Sequence, residues 1–414
     1  MKGKNMLDLH IAKNKDIVLA VSYGDYQIMH GGVSRYLMDY TNNLLENDIS
    51  VIFFYPKTIK NLSGKTMLMK YGCKVDDKDI KGAYDIAGII SIVDDNINKE
   101  KKLREFHIHH LKDVDLEDID CLLRNYNFST RYFIHDYYCI ATNYVEGIDY
   151  QQIHMTDHYN AYREFFDRRT IDFIAPSKVA AGVFKKAFEL KKDVKVIPHQ
   201  KCSIVAEGCS FEREDSSDIR VAYIGNTNRE KGYEYWLEAL NNKANGVTYI
   251  EYSNAKNSKN AILKSGYYQP NDLKYMVKSM KDDKIDIVVL WSICKETYSY
   301  TFFEALEAGI VIITNWESGN IAAMVEEYNA GEIYDKSELK NILCDYDYLY
   351  TLLGKNKNKD KFRVEFNPEI IELVKQSQSV SIGKTYLKNR RKKYIMFSAI
   401  YNIYNWLRVK VIKV

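Results

Sequence analysis

The feature that most constrains this chain is a short apolar run, rich in β-branched residues, that recurs in two series, each run followed by a helical pattern. The first series comprises Asp16–Tyr23, Ser50–Tyr55, Arg131–His135, Ile171–Pro176 and Val194–Pro198; the second comprises Arg220–Gly225, Val247–Ser253, Ile285–Trp291 and Ile310–Asn315. Continuous apolar strands belong in a parallel sheet covered on both faces. Strands alternating with amphipathic helices are βαβ units. A single sheet holding every run would be unusually wide. The sequence therefore predicts an α/β protein with two Rossmann-like doubly wound domains, and 414 residues suffice for two cores.

The segment 199–218 is polar, ends in a charge and serine cluster, and reads as the linker between domains. The expected units are an acceptor-side domain over 1–200, a ligand-binding domain over 201–383, and a tail over 384–414. The second sheet is expected to end near Tyr334, with helices beyond it and a lysine and asparagine loop at 355–361.

Composition excludes several classes. With 46% hydrophobic and 28% charged residues the chain is neither disordered nor collagen-like. Its seven cysteines are odd in number and form no Cys-x-x-Cys pair, which argues against a disulfide scaffold or a zinc ribbon and for a reducing compartment. The first residues are too polar for a signal peptide, and no window reaches the length of a membrane-spanning helix. The expected location is the cytoplasm. The net charge of +3 hides an asymmetry: the tail carries nine basic residues and no acidic one, so residues 1–383 stand at −6. Within the tail, 394–407 is uncharged and aromatic. It predicts either an interfacial segment beside anionic lipid at the inner membrane face or a last helix folded back on the N-terminal domain. No nucleic-acid module is legible.

Open α/β sheets bind ligands at the carboxyl ends of their strands, and four clusters fall there. Gly31-Gly32 precedes an amphipathic run (Val33, Tyr36, Leu37, Tyr40, Leu44) and would let backbone approach an anion at a helix N-terminus. His107, His109 and His110 follow another strand, with His135-Asp136 at the end of the next. No carboxylate has the spacing to complete a metal site there, so a histidine hydrogen-bonded to a substrate hydroxyl is the favoured reading. Gly225–Gly232 places Arg229 and Lys231 just before a helix, where the dipole disfavours cations unless an anion lies between them. Glu296 and Glu304 flank residues 298–301 (Tyr298, Ser299, Tyr300, Thr301). Thr301 is the expected helix cap and Gly309 the expected stop. Two carboxylates beside an anion site suit a ligand with hydroxyls on both sides of a phosphate.

Together these residues resemble the retaining GT-B glycosyltransferases of family 4, in a polysaccharide-synthesis branch. "GGVSRYL", "HIHHL", "FIHDYY", "IDFIAPSKVAAGVF", "KVIPH", "GNTNREKG" and the Glu-x7-Glu of "ETYSYTFFEALEAG" occur in the family's order over residues 16–334. The resemblance implies a nucleotide-sugar donor, a glycan or lipid-linked acceptor, and no metal or other cofactor. It implies that Glu296 contacts the donor sugar, Glu304 the ribose, and Lys231 the diphosphate, which Gly31, Gly32 and residues 298–301 cradle. It places Gly266 near the base, His109 on the transferred sugar, and His135 and Asp136 on the acceptor side. One position departs from the family: Asn226 stands where an arginine usually follows the glycine, and Arg229 is the nearest substitute. That departure keeps open a glycosyltransferase-like subunit that only binds; a sugar phosphorylase or epimerase of the same fold is the other alternative.

Overall fold

A computed structural model describes residues 11–60, 66–97, 100–210, 218–258, 260–264, 274–355 and 358–378. Gly266 and the tail over 384–414 lie outside them.

The N-terminal half is built from β1 (Asp16–Val21), α1 (Gly32–Glu46), β2 (Ile49–Lys60), β3 (Thr66–Val75), β4 (Lys78–Tyr84), α2 (Ile86–Asn96), β5 (Lys102–Ile108), α3 (Leu116–Asn125), β6 (Ser129–Phe133), α4 (Asp157–Asp167), β7 (Ile171–Ala175), α5 (Lys178–Ala187) and β8 (Lys195–Val196). Its sheet has eight strands in the order β4-β3-β2-β1-β5-β6-β7-β8. The strands from β2 to β8 in that order pair in parallel, while β3 and β4 add an antiparallel edge. Ile17, Leu19 and Val21 of β1 pack on one face with α2 and α3, and Val18 and Ala20 pack on the other with α1. This two-faced burial is why β1 reads as an unbroken apolar run.

After β9 (Gln200–Ser210), the C-terminal half comprises β10 (Ile219–Ile224), α6 (Tyr233–Ala239), β11 (Val247–Tyr252), β12 (Ile262–Lys264), α7 (Tyr275–Asp282), β13 (Ile287–Val289), α8 (Tyr300–Ala308), β14 (Val311–Asn315), α9 (Asn320–Glu327) and β15 (Gly331–Tyr334). Its six-stranded sheet is parallel throughout, in the order β12-β11-β10-β13-β14-β15. That is the Rossmann order, with its reversal between β10 and β13. The short helices α10 (Leu339–Leu343) and α11 (Tyr346–Lys355) cover the sheet, and β16 (Asn358–Phe366) and α12 (Glu369–Gln376) follow.

Two sequence expectations are corrected here. Residues 200–210 are not an irregular linker, and 358–361 do not form a loop. β9 and β16 pair antiparallel, with Gln200 opposite Phe366. The two chain crossings between the halves are thus one ribbon, extended by Asn367 N–H donating to the His199 carbonyl at 3.1 Å. Val364, Cys202 and Phe362 seat the ribbon on the C-terminal core. Beyond it α12 returns to the first half, where Ile370, Ile371 and Val374 are buried with Val18, Tyr40 and Phe53.

Candidate active site

Side chains and loops that follow the carboxyl ends of both sheets meet. Thr297, in the loop after β13, donates through its hydroxyl to the carbonyl of His135 after β6 (2.6 Å). Its own carbonyl accepts from Ser177 after β7 (2.8 Å). Arg35 of α1 reaches Glu304 of α8 at 2.6 Å.

On the C-terminal side, the reversal of strand order parts the loops after β10 and β13, and this crevice holds the charged groups. Lys231 Nζ lies 2.5 Å from Glu296 Oε1, which also accepts from Ser292 Oγ at 2.8 Å. Burial works against the Lys231 charge, but the Glu296 carboxylate outweighs it and the ammonium is held above its ordinary range. Glu296 is itself fixed by backbone: its N–H donates to Ser318, and Asn320 N–H donates to its carbonyl. Gly319 lies between those partners with φ 65°, and a Cβ there would stand 2.8 Å from Glu296 N. Only glycine permits both that conformation and that approach. Gly319 is therefore part of the site, although nothing in its local sequence announced it.

The helix after Glu296 begins at Tyr300. Its cap is Ser299, whose hydroxyl accepts from Phe302 N–H at 3.2 Å; Thr301, the expected cap, instead lies 2.9 Å from Ser299 Oγ. Gly309 closes the helix in the left-handed region as expected. Glu304 is buried, and burial pushes its carboxyl upward against the opposing pull of Arg35. The Arg35 guanidinium lies 4.4 Å from the centre of the Tyr300 ring, a cation–π contact. Tyr298 packs on His199 and Phe303. Arg229 is exposed, in the short turn Arg229–Lys231, and its guanidinium makes no ion pair among the described residues.

On the N-terminal side the order reverses between β1 and β5, so the Gly31-Gly32 loop and His109-His110 flank one crevice. Gly31 caps α1 at φ 128°, a conformation that a side chain would strain. Gly32 faces Tyr300: a Cβ there would lie 3.9 Å from its ring.

Ring nitrogens separate the histidines. His107 has both engaged, with Glu105 Oε2 and with Tyr40 OH, each at 2.6 Å. His110 also has both engaged, with Asp136 Oδ2 at 3.0 Å and with Lys112 N–H at 2.9 Å. These two are structural. His109 Nδ1 and His135 Nε2 lie 3.2 Å apart, and their other nitrogens, both buried, have no partner among the described residues. Whichever ring donates, the pair offers one free donor and one free acceptor. Burial holds both rings neutral, with His135 pushed down to about 3. Of the two, His135 is the one whose backbone touches the Glu296 loop. Asp136 accepts from Tyr138 N–H and pairs with His110, which overcomes burial and holds its carboxyl low. His199, not singled out in the sequence, packs with tilted rings at the ribbon against Tyr36, His135 and Tyr298. Among the described residues no group of His, Cys, Asp and Glu side chains is arranged to hold a metal ion, and no helix is long and apolar enough to cross a membrane.

No protein-family model matches the chain, and no curated protein matches it in sequence. Among solved structures it is similar to sucrose-phosphate synthase from Thermosynechococcus elongatus, at 14% identity and a TM-score of 0.52, with 86% of this chain and 96% of that one covered. It is also similar to HepE from Anabaena in complex with UDP and glucose, at 14% identity and a TM-score of 0.51, with 83% and 94% covered. The architecture is GT-B, as the resemblance implied: two Rossmann-like domains, which the strand runs predicted, facing a cleft.

Proposed function

We propose that this chain is a retaining glycosyltransferase of family 4 that moves a sugar from a nucleotide-sugar donor to a surface polysaccharide or lipid-linked glycan. The observation that carries the reading is the contact between the two halves at their strand ends: the loop of Glu296, the partner of Lys231, meets His135 of the His109–His135 pair through Thr297, and the α8 N-terminus meets α1 at Gly32 and Arg35. The complex of HepE with UDP and glucose supports a nucleotide and a sugar as ligands of such a cleft.

In this mechanism the diphosphate lies against Lys231, between the two helix N-termini. Glu296 accepts hydrogen bonds from the sugar hydroxyls, and Glu304 from the ribose. The His109–His135 pair supplies a neutral donor or acceptor to the transferred sugar, and Asp136, held by His110, faces the acceptor. The bond from the anomeric carbon to the diphosphate breaks, the acceptor oxygen bonds the same face of that carbon, and its proton passes to the departing phosphate. The protein's main electrostatic task is to stabilise charge on that leaving group, which Lys231 does without a metal ion. The tail over 384–414 would hold the enzyme at an anionic membrane surface where a lipid-linked acceptor is presented.

The test is turnover. Purified protein is incubated with a panel of UDP-, GDP- and other nucleotide sugars and candidate acceptors; released nucleotide is measured and the product anomer is read by NMR. Nucleotide release with retained configuration is expected. Inverted product, or no release with any pair, contradicts the reading.

A further inference from the structure

The structure pairs each carboxylate of the Glu-x7-Glu spacing with a cation, and the two pairs differ in origin. Glu296 takes Lys231 from its own domain. Glu304 takes Arg35 from the opposite domain, 269 residues away in sequence. Both members of the second pair are nearly inaccessible, with side chains 11% and 8% exposed. A buried ion pair is a poor stability device, because desolvation cancels much of the attraction and apolar residues of the same volume often serve as well. A guanidinium held there, one turn behind the Gly31-Gly32 loop and over the Tyr300 ring at the α8 N-terminus, is suited instead to receive an anion.

We propose that Arg35 is a second cation for the donor diphosphate, supplied across the cleft by the N-terminal domain; this rests on the donor reading given above. Entry of the donor is an exchange of partners. The two phosphates take Lys231 and Arg35, and the released Glu296 and Glu304 accept from the sugar and ribose hydroxyls. Each charge keeps a partner before and after, so Arg35 and Glu304, the nearly inaccessible pair, avoid the cost of an unpaired buried ion. The guanidinium fork matches a phosphate in a bidentate manner. Arg35 has a further neighbour in Asp39, one turn along α1, whose charge also favours the guanidinium. Because Arg35 belongs to α1 and Lys231 to the other domain, one diphosphate held by both ties the domains together.

Calorimetric titration with UDP against uridine, and GDP against guanosine, isolates the phosphate contribution as a ratio of affinities. In the wild type the diphosphate binds more tightly than its nucleoside. Arg35→Gln is expected to cut that ratio about tenfold or more, the worth of a charge-assisted hydrogen bond, and Arg35→Lys is expected to restore part of it. Arg35→Gln leaves Glu304 buried without its cation, so the double variant Arg35→Gln/Glu304→Gln, checked for folding by its melting curve, is expected to show the same lowered ratio. A wild-type ratio in both glutamine variants overturns the assignment and leaves Arg35 as a tie between domains only. Absence of any nucleotide binding by the wild type overturns the donor reading itself, and this assignment with it.

Discussion

The two crevices where strand order reverses have the same geometry but different contents. Between β10 and β13 the loops deliver full charges, Lys231 and Glu296, which pair with one another. Between β1 and β5 they deliver glycine backbone and the neutral His109, which pairs with His135 from the end of the next strand, β6. Under the proposed reading the difference follows from what each portion of a nucleotide sugar demands. A diphosphate needs cations, and a cation in a partly buried crevice is favourably held beside a carboxylate. A sugar offers hydroxyls, which neutral donors and acceptors can hold beside the Glu296 carboxylate.

The sharpest way to break that contrast is to remove its charged half. Lys231→Ala and Glu296→Ala should each lower kcat about 10²–10³-fold, as expected for groups that meet developing charge or position it. Melting temperatures should stay near wild type, because the pair sits on loops. Turnover at the wild-type rate in either variant contradicts the site assignment.

A second charged group tests whether charge on the N-terminal side is structural. Glu105 is fully buried under Arg131, which grips it through two bonds of 2.7 Å, and under His107. Burial alone would raise its carboxyl; these partners outweigh burial and hold it down to about 2. A depressed carboxylate stabilises the fold above its unfolded range, near 4.5, and the contribution is lost as pH falls towards 2. Glu105→Gln should therefore cost about 3 kcal/mol at pH 7 by urea unfolding, with the loss shrinking below pH 4. Its nucleoside diphosphate affinity should be unchanged; a donor-binding defect without a stability defect contradicts the structural role.

The smallest expected effect concerns the neutral half. His135 titrates near 3 in the fold against an ordinary 6.5, so between those values the unfolded chain binds the extra proton and stability falls as pH drops. His135→Gln should flatten that slope in melting curves taken from pH 7 to pH 5. A steeper slope in the variant contradicts a neutral, buried His135.

Much of this architecture was legible because parallel strands buried on both faces must be continuously apolar, as in Ile17–Val21 and Val288–Leu290. The β9–β16 ribbon was not, because one side is open to solvent: Ile204 and Val205 are about half exposed (51% and 53%) and no apolar run marks the strand. A signal existed in β16, where Phe362, Val364 and Phe366 alternate with exposed Lys361, Arg363 and Glu365. The surrounding lysines and asparagines obscured it. Lys231 and Glu296 were singled out as candidates from their places at strand ends. Their partnership was not, nor was Arg35 on Glu304, because contacts between distant loops depend on strand order, which a single sequence does not state. Gly319 and Ser292 were hidden for the same reason.

The most direct test of the central claim, that the C-terminal reversal point is a nucleotide-sugar site, is a thermal-shift panel on the wild type and Lys231→Ala. The account predicts a rise in melting temperature with one nucleotide sugar or its nucleoside diphosphate, lost in the variant. A shift that survives in Lys231→Ala, or no shift with any donor, would contradict it.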